Sequence, residues 1–181
     1  MTDRTDNSSL PDVPSDAPQT TLFQRIDNWL TGDCRYTANR EEGWFSMIVT
    51  LECGTARTLI DTNDRGGSEF VAVFTNLPVF VPALRRSAVA ELLTRINCAH
   101  SLPALQIDME DGEVRSRAAI DLVGKQIDEE SFDRILSASL RLADRAYAAI
   151  LSVAFGDVPP ALAWERVRAA EERAKEGVPL Q

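Results

Sequence analysis

The sequence holds very few residues that carry nucleophilic or redox chemistry. Its 181 residues include one histidine, His100, and three widely spaced cysteines, Cys34, Cys53 and Cys98. An odd, dispersed set of cysteines does not suggest a disulfide framework, so we expect reduced thiols that act as small apolar residues in a cytosolic protein. A Ser-His-Asp or Cys-His mechanism would have to use His100, and no nucleophile motif lies near it. The pattern favours a surface-loop histidine over a catalytic base.

Motifs for metal ions and phosphate groups are also missing. Cys98 and His100 would supply two ligands, but a structural zinc takes about four, and no CxxC or HxxxH spacing provides the others. The only glycine pair, Gly66-Gly67, has neither GKS nor GxGxxG around it, and we interpret it as a turn. We therefore predict no catalytic residue, no metal and no cofactor.

Long apolar runs and positive charge are scarce as well. No stretch reaches the roughly 18 apolar residues of a transmembrane helix, and the N-terminus has no apolar signal segment. We expect no membrane insertion and a cytoplasmic location. The formal net charge is −9 and the pI is about 4.7, which argues against wholesale binding to nucleic acid or anionic lipid. A local basic patch is still compatible with this charge.

Length and composition predict one domain with two extensions. Residues 1–19 are rich in Asp, Ser, Thr and Pro, which predicts a disordered tail, either a solubilising extension or a partner-binding arm. Residues 20–156 form the predicted domain, and residues 157–181 add a C-terminal helix and tail. About 150 folded residues bury roughly 70% of their unfolded surface, so one core forms without disulfides.

The first half of this domain predicts a helix followed by an antiparallel meander. Thr20 or Thr21 caps the helix and Gly32 ends it. Its stripe consists of Leu22, Phe23, Ile26, Trp29 and Leu30. Alternating patterns then predict three or four strands. These strands cover residues 34–38, 44–53, 57–63 and 70–75, with turns at residues 39–43, 54–56 and 64–67.

The next segment predicts a helix and a hairpin. Pro82 suits the first turn of a helix over residues 82–97. Its apolar stripe comprises Leu84, Ala88, Val89, Leu92, Leu93 and Ile96. Asp111-Gly112 favours a two-residue type I′ turn, which would pair 109 with 114, 107 with 116 and 105 with 118. The predicted core side of this hairpin comprises Leu105, Ile107, Met109, Val114 and Ala118.

Two further helices complete the chain. Asp128 is a good N-cap, Ile127 and Phe132 match a hydrophobic staple, and Gly156 ends the long helix. Its stripe comprises Phe132, Ile135, Leu136, Leu140, Ala143, Tyr147, Ile150, Leu151 and Ala154. A charged helix over residues 161–175 follows, with Leu162, Trp164 and Val167 on its apolar side. The resulting order, α-β(3-4)-α-ββ-α plus a C-terminal helix, predicts an α+β domain with helices on an antiparallel sheet.

Polar groups at special positions have structural and functional interpretations. The acidic clusters Glu41-Glu42, Asp108, Glu110-Asp111 and Asp128-Glu129-Glu130 resemble paired catalytic acids, but turns and helix starts favour acids for structural reasons. Arg134, Arg141 and Arg145 share one helix face, which suits a solvated surface better than a phosphate or acidic-partner site. Asn97 and Asp144 border apolar stripes, and we expect them to fix helix ends or loops.

Three segments together resemble a known bacterial family, the YbjN-type domain. The first is Val81-Pro82-x-x-x-Arg86-x-x-Val89-x-x-Leu92-Leu93-x-Arg95-x-Asn97. The second is Leu105-x-Ile107-x-Met109-x-Asp111-Gly112-x-Val114-x-x-Arg117. The third includes Asp144-Arg145-x-Tyr147 and Phe155-Gly156. The resemblance covers about residues 20–156 and implies a fold like the type III secretion chaperones, often dimeric, in sensory transduction regulators without an established enzymatic activity.

Function is inferred in three alternative ways. The leading hypothesis is a non-enzymatic, cytoplasmic regulator or chaperone-like adaptor, a homodimer that binds a protein client by strand addition or helix-in-groove contacts at a surface that the sequence does not locate. The second is a small-molecule or lipid sensor with a pocket between sheet and helices, against which a core closed by Phe70, Phe74, Leu92 and Leu136 would count. The third, an unrecognised enzyme, needs a cleft joining His100 to several acids.

Overall fold

The computed structural model describes residues 20–32, 35–52, 54–63, 70–122 and 126–175. Over these ranges the elements are α1 (Leu22–Leu30), β1 (Tyr36–Asn39), β2 (Trp44–Leu51), β3 (Gly54–Asn63), β4 (Phe70–Phe80), a 3-10 turn (Ala83–Arg85), α2 (Arg86–Asn97), β5 (Ala104–Ile107), β6 (Glu113–Asp121), α3 (Glu129–Phe155) and α4 (Pro160–Lys175). The predictions for the tail at residues 1–19, for Cys34 and Cys53, and for the Gly66-Gly67 turn lie outside the described residues.

The strands form one antiparallel sheet of six strands in the order β1-β2-β3-β4-β6-β5. The first four strands make the predicted meander, which therefore has four strands rather than three. The strand β6 pairs with β4, so β5 lies at one edge and β1 at the other. The α+β class and the predicted element order are confirmed.

Several boundaries of the meander differ from the prediction, and the two largest differences are at the start of β3 and the end of β4. Residues 54–56 are not a turn, because β3 begins at Gly54 and pairs Gly54 with Leu51. Gly54 alone suggests a turn, but the buried Ala56 and Thr58 alternate with exposed residues, as in a strand. At the other end, β4 continues past residue 75 to Phe80, and its register shifts between Asn76 and Phe80. An irregularity there accommodates Pro78, which has no N–H to donate to the ladder.

The helices described here cover only one face of the sheet. Along β4, Val71 and Val73 are buried against them, whereas Phe70 and Phe74 lie on the opposite face and are half-buried. Phe70 and Phe74 are thus not members of the core between sheet and helices. Other side chains fill that core, including Leu92, which is fully buried.

The helix α1 begins where the sequence predicts and packs over the first strands. Thr21 and Gln24 form a capping box, with the Gln24 N–H donating to Thr21 Oγ1 at 3.2 Å and the Thr21 N–H donating to Gln24 Oε1 at 3.0 Å. The Phe23 ring stacks on Phe45 of β2 at 4.3 Å between centroids. These contacts fix α1 against the N-terminal half of the sheet.

The helix α2 starts later than predicted. Residues 83–85 form a 3-10 turn instead of α-helix, and α2 begins at Arg86. Leu84, predicted to belong to the buried stripe, is 97% exposed. Val89, Leu92 and Ile96 are buried as predicted.

The β5–β6 hairpin has a different register from the predicted one. Ile107 pairs with Val114 and Leu105 with Ser116, a shift of two residues from the predicted partners. The loop is longer because the Asp108 N–H donates to the Glu113 carbonyl at 2.8 Å, leaving residues 109–112 as its tip. A shift of two keeps every side chain on its predicted face, but it moves Met109 out of the sheet.

The helix α3 follows its predicted start and stop. Asp128 accepts the Ser131 N–H at 2.7 Å, and Gly156 is the C-cap. The pKa of the exposed Asp128 carboxyl lies below its ordinary value. The larger cause is a hydrogen bond from the Ser131 hydroxyl, and the second is this bond from the Ser131 backbone. The staple residues Ile127 and Phe132 are both buried.

In the described chain every helix is too short or too polar to cross a bilayer.

The buried side of α3 is rotated relative to the predicted stripe. Leu142, Ala146 and Val153, which the stripe omits, are buried, whereas Leu140 and Leu151 are only half-buried. The reason is that α4 packs against both α2 and α3, and Ala163 reaches 1% exposure in that contact. Trp164 and Val167 of the predicted apolar side therefore pack against the core, whereas Leu162 is exposed.

A buried polar row divides the core into two apolar clusters. Thr75 on β4 lies beside Ser116 on β6, and the Ser139 hydroxyl of α3 is 3.1 Å from each of their oxygens. One cluster lies under α1 and the start of α3, and the other under α2, α4 and the end of α3. Because their hydroxyls bond to one another, burying these three groups costs little.

Candidate interaction surface

Four exposed apolar residues belong to segments that meet near the end of β4. The large apolar residues that the described part of the chain leaves exposed are Ile48, Phe80, Leu84, Leu102, Met109, Phe155 and Leu162. Phe80, Leu84, Met109 and Phe155 belong to segments that contact one another at the end of β4. We call these four residues the hairpin-end surface. Clustered apolar exposure of this kind marks interaction sites more often than isolated exposure does.

Arg86 joins the hairpin tip to the start of α2. Its Nη1 donates to the carbonyls of Met109 at 3.0 Å and Glu110 at 2.8 Å, and its Nε donates to the Val81 carbonyl at 3.1 Å. One guanidinium thus holds two chain segments through charge-assisted hydrogen bonds. This contact places Met109 next to the 3-10 turn that carries Leu84.

Arg85 makes the corresponding contact on the other side. Its Nε and Nη2 donate to the Val153 carbonyl at 2.9 and 2.6 Å, which occupies one of the acceptors that α3 leaves free at its C-terminus. Its Nη1 lies 3.1 Å from Asp157. Phe155 lies between these two partners in sequence. The exposed Leu84 and Phe155 are therefore carried by two segments that Arg85 ties together.

Gly112 lets the hairpin tip approach the end of β4. The Val81 N–H donates to the Gly112 carbonyl at 2.9 Å, and Gly112 has φ +88°. A Cβ at Gly112 would overlap the Val81 carbonyl oxygen and come within 2.9 Å of the Val81 nitrogen. Only glycine combines this conformation with this approach.

The charge around the hairpin-end surface is mainly negative. Asp108, Glu110 and Asp111 are exposed at the hairpin tip, and the Asp157 side chain is 90% exposed. The guanidiniums of both neighbouring arginines are engaged by backbone carbonyls and Asp157. A partner with apolar side chains and lysine or arginine beside them would complement this end.

In the described part of the chain, His100 and Cys98 lie apart from the acidic hairpin tip. His100 is half-buried and Cys98 exposed in the segment after α2, and β5 separates them from the acidic hairpin tip. Within the described ranges, no group of three or more His, Cys, Asp or Glu residues is placed to hold a metal ion. Asp108 and Asp111 instead accept the N–H groups of Glu110 and Glu113, as turn residues do.

Asn97 and Asp144 have the structural roles predicted from the sequence. The Asn97 amide donates to the Leu105 carbonyl at 2.9 Å and accepts the Leu105 N–H at 2.8 Å, which attaches the end of α2 to β5. Asp144 on α3 accepts the Glu52 N–H at 3.2 Å, next to the β2–β3 turn. Arg134, Arg141 and Arg145 are all exposed on α3.

Comparison with protein-family models shows the family to which this chain belongs. The family model of YbjN, described as a putative bacterial sensory transduction regulator, matches residues 32–152. The chain belongs to the YbjN family. No curated protein sequence matches it.

Three residues within the matched range hold the hairpin-end surface together. Val81, Arg86 and Gly112 make the contacts at the tip, whereas Gly156, which ends α3 beside Phe155, lies beyond the match. The sequence predicts these residues to be caps and turns, which they are. It does not predict the surface, because Leu84 and Met109 continue apolar stripes and therefore look buried. Their exposure in the structure shows that both lie outside the core.

Proposed function

We propose that this YbjN-family protein is a non-enzymatic, cytoplasmic regulator that binds a protein client through the hairpin-end surface. The observation that carries the proposal is the exposure of Phe80, Leu84, Met109 and Phe155 on one tightly hydrogen-bonded frame. A rigid frame loses little conformational freedom on binding, so its apolar area contributes efficiently to affinity. The family's description as a regulator supports a binding role over a catalytic one.

The acidic surroundings indicate the chemistry of the client. An amphipathic segment with an apolar side and flanking lysine or arginine would bury its apolar residues on this surface and place its cations near Asp108, Glu110 and Asp157. Such a segment would act as a helix lying against the end of the sheet. This is a chaperone-like adaptor role, in which a client segment is held without being chemically changed.

Replacing Leu84 with glutamate tests the proposal. Leu84 is 97% exposed, so L84E should leave the fold intact while replacing an apolar contact with a charge where the apolar side of the client would pack. In crosslinked capture from the native host, we expect a defined set of proteins to be recovered by wild type and lost with L84E. The matched control is L102E, an exposed leucine beyond the opposite end of β5. Equal recovery by all three proteins, or no recovery by wild type, would refute the proposal.

We also propose that the protein is a homodimer, as the resemblance to the chaperone-like fold implies. Light scattering should then give about 40 kDa, twice the 20.0 kDa of one chain. L84E should keep this mass, because the hairpin-end surface is assigned to the client. A mass near 20 kDa for wild type would exclude the dimer. A dimer that dissociates only in L84E would assign this surface to self-association instead.

A further inference from the structure

The sheet face turned away from the helices carries a cluster of arginines in an otherwise acidic protein. Arg57 on β3 and Arg115 and Arg117 on β6 alternate with core residues, so all three lie on this face. Arg57 and Arg115 each pair with Asn76 of β4, one from either side. Their Cα atoms are therefore about 10 Å apart, two strand spacings of roughly 4.8 Å.

The Phe74 ring lies against two of these three guanidiniums. The guanidinium carbons of Arg115 and Arg117 lie 5.3 and 5.7 Å from the centroid of its ring. The Arg115 Nε donates to Gln106 at 3.3 Å and the Arg57 Nε donates to Ser46 at 3.1 Å. Each of these bonds orients a guanidinium through its Nε and does not use its terminal nitrogens.

No carboxylate in the described ranges lies within 4 Å of these three guanidiniums. The nearby Glu113 carboxylate instead accepts the Asn76 amide at 2.8 Å. Exposed Ile48 and half-buried Leu59 lie beside the cluster on β2 and β3. The face thus offers three oriented cations, with terminal N–H groups suited to bidentate carboxylate binding, next to apolar surface.

We infer that this face, which we call the arginine face, binds an acidic segment of a partner protein. Glutamate or aspartate side chains would bind Arg57, Arg115 and Arg117, and an apolar residue would lie against Ile48 or Leu59. A second copy of this chain fits less well, because a twofold axis here would bring arginine opposite arginine. Nucleic acid also fits less well, because the Phe74 ring, which could otherwise stack a base, is already occupied by two guanidiniums. The residues of the arginine face are distinct from the four that define the hairpin-end surface.

Binding of a defined peptide tests this inference. The probe is a fluorescein-labelled glutamate peptide with leucine at every fourth position, measured by anisotropy and by the arginine Nε–H resonances at about 100 mM salt. We expect R57Q/R115Q/R117Q to bind it roughly tenfold more weakly than wild type, since each exposed ion pair contributes modestly. The single variant R117Q, at an exposed position, should show part of the loss without risk to the fold.

The control removes the same charge from another surface. Arg134, Arg141 and Arg166 are exposed on α3 and α4, and R134Q/R141Q/R166Q should bind the probe as wild type does. L84E should also leave probe binding unchanged, which separates this inference from the proposed client surface. Equal losses in both triple variants, equal binding of a lysine analogue, stronger binding of single-stranded RNA, or no binding of the probe up to about 1 mM would each overturn the inference.

Discussion

Substituting alanine for Gly112 should destabilise the protein by about 3–5 kcal/mol, which combines backbone strain at positive φ with the loss of a buried hydrogen bond. Gly112 has φ +88°, and the new Cβ would meet the Val81 backbone rather than a movable side chain. The hairpin tip would have to retreat and break the bond from the Val81 N–H. Urea denaturation monitored by circular dichroism measures the change in the free energy of unfolding.

Gly54 provides the matched control. It also lies at a hairpin with positive φ, at +138°, but a Cβ there meets no atom within 4 Å. G54A should therefore show only conformational strain, about 1–3 kcal/mol. If G112A and G54A lose the same free energy of unfolding, the close approach of the hairpin tip to Val81 does not stabilise the protein.

Local chemistry explains why so much of the fold was predictable. The capping box at Thr21 and the N-cap at Asp128 satisfy backbone donors within a few residues, so they can be recognised without tertiary information. The alternation along β2 and β6 likewise fixes which face each side chain occupies. These signals together were sufficient for the element order and the antiparallel sheet.

The errors arose where a distant contact decides the local structure. A two-residue turn at Asp111-Gly112 is favourable in isolation, but Arg86 binds the carbonyls of Met109 and Glu110 and stabilises a longer loop. Leu84 fits a helical stripe, yet the 3-10 turn directs it outward while Arg85 binds Val153. Periodicity contains no information about these pairings, so the hairpin-end surface was not predictable.

The arginine face was unpredictable for a related reason. The helix α2 and the strands β4 and β5 separate Arg115 and Arg117 from Arg57 in sequence, and only the pairing of β6 with β4 brings them together. Arg134, Arg141 and Arg145 can instead be grouped from the sequence, because they follow helical spacing within one segment. Sheet topology must be known before cations on different strands can be grouped.

Replacing Arg86 with methionine should cost about 2–3 kcal/mol, because three backbone carbonyls lose a charged donor while the side-chain stem is kept. Arg86 bonds to Val81, Met109 and Glu110, so both the loop and the start of α2 should loosen. Urea denaturation gives the stability loss, and amide hydrogen exchange should rise at residues 108–113. R86K should recover at most half of the loss, since an ammonium lacks the planar fork.

Arg95 on the same helix is the appropriate control. Its guanidinium lies 2.7 Å from Glu91 in an exposed i,i+4 pair, so R95M should cost no more than about 0.5 kcal/mol. If R86M and R95M lose the same free energy of unfolding, Arg86 does not hold the hairpin tip.

The double variant G112A/R86M gives a stricter criterion, because a Cβ at Gly112 would also lie 3.0 Å from the Arg86 Nε. Both substitutions disrupt one contact, so their combined cost should be smaller than the sum of the separate costs. Additive costs would mean that the glycine and the arginine stabilise the hairpin-end surface independently.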